Sequence, residues 1–241
     1  MDFTLELIGF NIESCKLAQA AGADRIELCD NPADGGTTAS YGFIKAARKY
    51  LHIPLFPIIR PRGGDFFYTA DEFEIMKTDV NICKQLGCDG IVTGILNADG
   101  TVDKIRCAEL ADLAYPLGIT FHRAFDRTID AFKAVEDIIE TGCERILTSG
   151  QKQYAPEGAD LIAKLIEQAA ERIIIMPGSG IRAANIISIA QKTKAVEFHT
   201  SARMAVESKM NYINRSLDEK PGSMAVDEQE IKNIISGLKS L

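Results

Sequence analysis

Eight short runs rich in β-branched and aromatic residues recur along this chain, near 3–8, 25–29, 54–60, 89–94, 118–123, 145–149, 172–177 and 195–199. Helical patterns lie between them, among them Ile12 to Ala21, Phe43 to Tyr50, Glu72 to Leu86 and Leu161 to Ala170. Strands that alternate with helices build βαβ units, and repeated βαβ units build a parallel sheet. Eight such strands in 241 residues match an α/β protein of the (β/α)8 TIM-barrel class. The rival is a doubly wound open sheet, but no GxGxxG follows the first run.

A weak internal repeat supports the count. "AGADRIEL" at 21–28, "LGCDGIVT" at 86–93 and "TGCERILT" at 141–148 share one pattern. A glycine ends a helix in a left-handed cap, an acid follows, and a strand begins. Thr69-x-x-Glu72 and Asp227-x-x-Glu230 have the spacing of capping boxes at helix starts. No shift in composition marks a boundary, so residues 1–241 are expected to form one barrel domain. Its eight βα units would end near 207. The irregular stretch 208–226, with Lys220-Pro221-Gly222-Ser223, reads as a long surface loop before an additional C-terminal helix over 227–239.

Hydrophobic residues are 46% and charged residues 25% of the chain, enough apolar material for a large core without disulfides or structural metal. A net charge of −7 argues against nonspecific nucleic-acid binding, which needs a basic footprint. No apolar stretch approaches the ~20 residues of a membrane span. Met1-Asp2-Phe3 leads straight into the first strand, without the pattern of a targeting segment. The six cysteines form no CxxC pair, which suits reduced thiols in a cytosolic protein.

Function is suggested by what stands at the downstream ends of the apolar runs, where barrel enzymes place their active sites. Glu27 follows Arg25-Ile26, Arg60 follows Phe56-Pro57-Ile58-Ile59, and His122-Arg123 follows Ile119-Thr120-Phe121. Glu197 and His199 flank Phe198. Strand alternation puts Arg25, Glu27 and Cys29 on one face, and Glu197, His199 and Ser201 on another shared face. If those faces point to the axis, Glu27, Arg60, His122, Glu197 and His199 converge, with Glu6 from the first strand. A charge network that merely ties the barrel together is the bland alternative. Convergence from several strands favours catalysis, with His122 as a proton carrier near neutral pH and Glu27 or Glu197 as general base.

Gly178-Ser179-Gly180 is a second element. It is expected to open a helix near Arg182, offering backbone N–H groups to an anion such as a phosphate, with Ser201 and Arg203 nearby. Arg60-Pro61-Arg62-Gly63-Gly64 is a third, whose arginine forks suit carboxylates and phosphates. Among the cysteines only Cys29 sits at the functional end of a strand. Copper(I) prefers several soft ligands, so Cys29 would need help from a histidine or a partner subunit.

The order of these motifs resembles the CutC family of copper homeostasis proteins. The resemblance runs through "GADRIELC" at 22–29, "GGTTASYG" at 35–42, "IPLFPIIRPRGGDFFY" at 53–68, "FHRAFD" at 121–126, "LTSGQ" at 147–151, "PGSGI" at 177–181 and "EFHTSAR" at 197–203. It implies a barrel fold, a cytoplasmic location, a homodimer or higher homo-oligomer, and a role in copper homeostasis through bound copper(I), with Cys29 in the ELC motif as a metal ligand. Three positions depart from the family pattern. Ser179 replaces a glycine, Ala39 a proline, and Leu7 a cysteine, the last removing a soft ligand. Two functions therefore stand side by side: a copper-binding protein, which the resemblance implies, and an enzyme acting on a small anionic metabolite, which the residue layout implies.

Overall fold

The structure, a computed structural model, describes residues 3–214, 216–217 and 222–241. Its eight parallel strands are β1 (Thr4–Gly9), β2 (Arg25–Leu28), β3 (Leu55–Pro57), β4 (Gly90–Thr93), β5 (Gly118–Phe121), β6 (Arg145–Thr148), β7 (Ile174–Pro177) and β8 (Glu197–Thr200). The helices that follow β1 to β7 are α1 (Ile12–Ala21), α2 (Tyr41–Tyr50), α3 (Ala70–Gln85), α4 (Lys104–Ala114), α5 (Ala131–Ile139), α6 (Ala155–Ala169) and α7 (Ile186–Thr193). Two short antiparallel strands, β9 (Arg203–Val206) and β10 (Ser223–Val226), precede the last helix, α8 (Glu228–Lys239). This is the TIM-barrel arrangement expected from the alternation.

The parallel strands form two ladders, β3–β2–β1–β8 and β4–β5–β6–β7. The repeated glycine–acid pattern explains how strand starts are fixed. Gly22, Gly87 and Gly142 have φ of +100°, +73° and +84°, conformations that favour glycine. In the first two repeats the acid that follows then grips the neighbouring strand. Asp24 accepts from Leu5 N–H at 2.7 Å, and Asp89 accepts from Leu55 N–H at 2.9 Å. The Asp89 contact lies at the β3–β4 seam, where Ile59 N–H also donates to Val92 O at 2.7 Å. At the β7–β8 seam, Thr200 Oγ1 donates to Ile181 O at 2.8 Å.

Helix starts follow their caps. Thr69 and Glu72 form the reciprocal capping box that their spacing predicts. Asp227 caps α8, but the Glu230 carboxylate turns away to accept from Ala183 N–H, so the second expected box is half formed. Leu5, Leu7, Ile26, Leu28, Phe121 and Phe198 face the helices and belong to the main core. The alternate residues point inward.

Two expectations about the C-terminal region need correction. The stretch 208–226 is not simply a loop, since Ser223–Val226 pairs with Arg203–Val206. Lys220 and Pro221 lie outside the described residues. The C-terminal helix is also not an addition to the ring. It is the eighth helix, bonded to the α7 approach through Glu230 and packed with Ile231, Ile234 and Leu238 buried in the main core. The short Met-Ala-Val runs of β9 and β10 are as long as most barrel strands, but they are exposed or half-buried over most of their length and stand outside the regular alternation of strand and helix.

Candidate functional site

Inside the barrel a charged layer crosses the axis. Arg25 donates from Nε to Glu6 at 2.5 Å and from Nη2 to Glu197 at 2.6 Å. Arg145 reaches Glu197 from Nε at 2.6 Å and from Nη2 at 3.2 Å, and donates to Thr120 Oγ1 at 3.2 Å. All five side chains are buried. Burial without partners would be costly for such groups, and here each is paired. Below them the Phe56 ring lies 5.2 Å from the Arg25 guanidinium and 5.9 Å from that of Arg145. Gly90 leaves room for that ring, because a Cβ there would come within 2.3 Å of it.

Above the layer, at the carboxyl ends of the strands, opens a cavity of about 430 Å³. Glu27, Arg60, His122, His199, Ser179, Gly180 and Ser201 line it. Glu6, Glu197 and Gly178 do not. Both acids sit in the layer beneath, and Gly178 packs toward Leu147 and His199. Glu197 is thus committed to two arginines and is not placed to act as a base on a bound molecule.

Glu6 connects the layer to the cavity. Its Oε1 bonds His199 Nδ1 at 2.7 Å, and His199 Nε2 lies 3.7 Å from Glu27 Oε2. Burial pushes the Glu6 carboxyl upward, but Arg25 and the His199 hydrogen bond outweigh it and hold the pKa at about 2. Glu27 has less compensation, so burial dominates and raises its pKa to about 7. Burial disfavours the His199 cation, yet Glu6 and Glu27 together raise its pKa above the ordinary value. A carboxyl near neutrality beside a polarised imidazole suits proton transfer.

His122 differs from expectation. Burial and the neighbouring Arg60 charge lower its pKa to about 3, so it is not a proton carrier near neutral pH. Arg60 also differs. Its Nη1 donates to Asp34 O and Gly36 O, both at 2.7 Å, and its Nη2 to Gly64 O at 3.0 Å. The fork expected to hold an anion instead clamps two loops. Arg62 is tied to Glu72 and Asp65 at 2.5 and 3.0 Å, so it too is engaged.

The glycine turn does not open a helix directly, because α7 starts later, at Ile186. Ser179 and Gly180 have φ of +76° and +73°. The Ser179 hydroxyl donates to Gln153 O at 2.8 Å. Among the described residues, the backbone N–H groups of Ser179, Gly180 and Ile181 have no protein acceptor, and all three residues line the cavity. Arg123, Arg182 and Arg203 also line the cavity and add positive charge to it.

Several of these residues were missed as site residues. Arg25 was visible on the Glu27 face, but Arg145 begins its strand and gave no strand-end signal. The "FHRAFD" and "LTSGQ" motifs meet at Asp126, which accepts from Thr148 Oγ1 at 2.6 Å, Ser149 N–H at 3.0 Å and Gln151 N–H at 3.1 Å. Asp126 also pairs with Arg123 at 2.8 Å, which fixes that arginine at the cavity rim.

Cys29 is fully buried against Phe56, Ile58 and Val92 and does not line the cavity. Burial, followed by the Glu27 and Glu6 charges, raises its thiol pKa well above the ordinary value. A protonated, enclosed thiol does not fit copper(I), which binds thiolate. Glu6, Glu27 and His199 approach within 4.8 Å of one another. Yet both Glu6 oxygens and His199 Nδ1 are already engaged, and this carboxylate–imidazole set lacks the soft donors copper(I) selects.

The CutC family model matches residues 3–204. A CutC protein of Chromobacterium violaceum is 50% identical over 228 residues, covering 95% of this chain and 92% of the relative. The human copper homeostasis protein cutC homolog is 46% identical over 215 residues, covering 89% of this chain and 79% of the relative. The crystal structure of the Streptococcus agalactiae CutC protein superposes with a TM-score of 0.79 at 36% identity, covering 83% of this chain and 98% of that one. The fold alone is shared with phosphoribosyl anthranilate isomerase of Thermotoga maritima, with a TM-score of 0.62 at 14% identity over 99% of this chain and all of that one.

Proposed function

The chain belongs to the CutC family, and on that premise we propose that it serves copper homeostasis, the role in the names of its human and mouse relatives, and that its cavity performs acid–base chemistry on a small anionic metabolite. One observation carries the chemical part. A single cavity is lined both by Glu27, whose pKa is raised to about 7, and by a turn whose N–H groups have no protein acceptor. The turn and nearby arginines hold the anionic group. Glu27 takes or returns a proton, and His199, oriented by Glu6, stabilises its charged form. Among the described residues no lysine lines the cavity to support imine chemistry. The test is binding of inorganic phosphate, read as a rise in melting temperature that grows with concentration. No shift at tens of millimolar would sink the anion reading.

Direct capture of copper(I) is the competing reading, carried by the relatives' names and by Cys29. The enclosed thiol and the oxygen- and nitrogen-rich cavity weigh against it. Anaerobic copper(I) titration against a strong chelator decides the matter. Competition by the wild-type chain that is lost in Cys29→Ser would establish the copper reading. A cytoplasmic location and assembly as a homodimer or higher homo-oligomer complete the proposal. No helix of the described residues is long and apolar enough to cross a membrane. Light scattering at micromolar concentration tests the assembly.

A further inference from the structure

His122 is the one histidine of the cavity with no charged partner, and its surroundings fix its hydrogen atoms. The backbone N–H of Ala124 points at Nδ1 from 3.2 Å. An N–H can only donate, so Nδ1 must present its lone pair. The neutral ring then carries its hydrogen on Nε2. Protonating Nδ1 would set two hydrogens against each other, in a buried site beside the Arg60 charge. The ring cannot swing away easily. Phe66 packs over it with centroids 4.7 Å apart, and Phe121 lies edge-on at 6.1 Å. Gly94 leaves the space it occupies, since a Cβ there would come within 2.7 Å of Nδ1.

The outcome is a buried Nε2–H with no protein partner among the described residues, on a ring that lines the cavity. Leaving such a donor unmade is costly, so it calls for an acceptor from a bound molecule. Water could fill that place, but a rigid, uncharged donor is also what a developing oxyanion needs.

We propose that His122 donates its Nε2–H to the carbonyl oxygen of the substrate, which is a small carbonyl compound bearing an anionic group and is enolised in this cavity. This deepens the acid–base reading above and rests on it. Glu27 removes a proton from the carbon next to the carbonyl. The C–H electron pair forms the new C=C bond, and the carbonyl π pair moves to oxygen. The resulting enolate oxygen accepts the hydrogen bond from His122. Return of the proton from Glu27 to carbon restores the carbonyl. No oxidant, reductant or co-reactant is required. His122 itself neither gains nor loses a proton, which sets it apart from the Glu27–His199 pair.

Two measurements test this. In uniformly 15N-labelled protein, the His122 ring resonances, assigned by their loss in His122→Gln, should report a neutral Nε2–H tautomer throughout pH 5.5–8.5. A ring that titrates in that range, or carries its hydrogen on Nδ1, overturns the proposal whatever the cavity binds. The second measurement uses phosphoglycolohydroxamate, a phosphorylated mimic of an enediolate, beside inorganic phosphate. Wild type should bind the hydroxamate more tightly than phosphate. His122→Ala should weaken the hydroxamate by about tenfold or more while changing phosphate affinity by less than about twofold. His122→Gln, which keeps an N–H donor, should recover part of the loss. Equal weakening of both probes marks a structural role and overturns the proposal, as does a hydroxamate bound no better than phosphate. Failure of wild type to bind phosphate at all removes the anion reading first, and the substrate class falls with it.

Discussion

The barrel interior holds two sets of polar side chains stacked one above the other, and they are built to opposite rules. In the lower layer Glu6, Arg25, Glu197 and Arg145 satisfy one another through short ion pairs. In the cavity above, Glu27 faces the His199 imidazole at 3.7 Å instead of an arginine, and His122 Nε2 and the N–H groups of the Ser179–Ile181 turn have no protein partner among the described residues. Residue type does not separate the two sets, since both contain glutamate and both adjoin arginine. Pairing does. A buried charge with all its partners present is architecture, whereas a buried polar atom without one marks a place reserved for something else.

The sharpest way to break this contrast is to remove the acid shared by the two arginines. Glu197→Leu strands Arg25 and Arg145 without their common carboxylate in a buried layer. Loss of one partner of such a pair costs about 3–5 kcal/mol. At roughly 2–4 °C per kcal/mol for a chain of this size, the melting temperature should fall by about 6–20 °C. Chemical denaturation provides the check. A loss below about 1 kcal/mol would mean that water already shares the layer, and the distinction between layer and cavity would collapse.

A smaller effect is expected one level up, with a pH signature. The Glu27 pKa is raised in the folded chain to about 7, so folded Glu27 keeps its proton where the unfolded one loses it. Stability therefore falls as pH rises from the unfolded value toward 7, and stays reduced above it. Glu6, lowered to about 2, behaves oppositely: its contribution is present above the unfolded value and is lost as pH falls through 2. Glu27→Gln should thus stabilise the protein at pH 8, on the order of 1–3 kcal/mol, with little change near pH 4.5. Melting curves at the two pH values measure this. An equal effect at both would show that Glu27 is not held protonated by the fold. Any turnover should meanwhile be lost.

These contrasts mark where the sequence was legible. The strands, most helices and the glycine–acid repeat are local signals, set by alternation, caps and left-handed turns. The inward faces of β1, β2 and β8 were legible too, because alternation alone assigns them. Which inward acid finds which arginine was not. That depends on the stagger between strands, which brings Arg145 at the start of β6 to Glu197 on β8. The state of His122 was equally hidden, since it is set by Ala124 N–H, Phe66 and Arg60 folding around it. The β9–β10 pair was not legible, because two short runs, apart in sequence and exposed or half-buried over most of their length, carry no periodic signal.

Cys29 tests the contrast from its apolar side. It lies outside the cavity, in the small cluster with Phe56, Ile58 and Val92. Cys29→Ser puts a hydroxyl among those groups and should cost about 1–2 kcal/mol in unfolding measurements. Its copper(I) affinity under anaerobic competition should equal that of wild type. A tenfold loss of affinity with unchanged stability would move Cys29 from the packing set to the functional one.

The smallest expected effect concerns the turn itself. Ser179 holds φ at +76°, which strains a residue with a side chain. Its hydroxyl offsets part of that strain by donating to Gln153 O at 2.8 Å. Ser179→Gly removes both the strain and the hydrogen bond, so stability should change by less than about 1 kcal/mol in either direction. If the turn recognises an anion through backbone N–H groups, the serine side chain is not a donor to the ligand. Phosphate affinity of Ser179→Gly, measured by calorimetry, should then stay within about twofold of wild type. A Ser179→Gly chain that loses phosphate binding while keeping its melting temperature would show that the hydroxyl turns from Gln153 to the ligand. Recognition would then rest on a side chain, and the backbone cradle would no longer distinguish this wall of the cavity from the layer below.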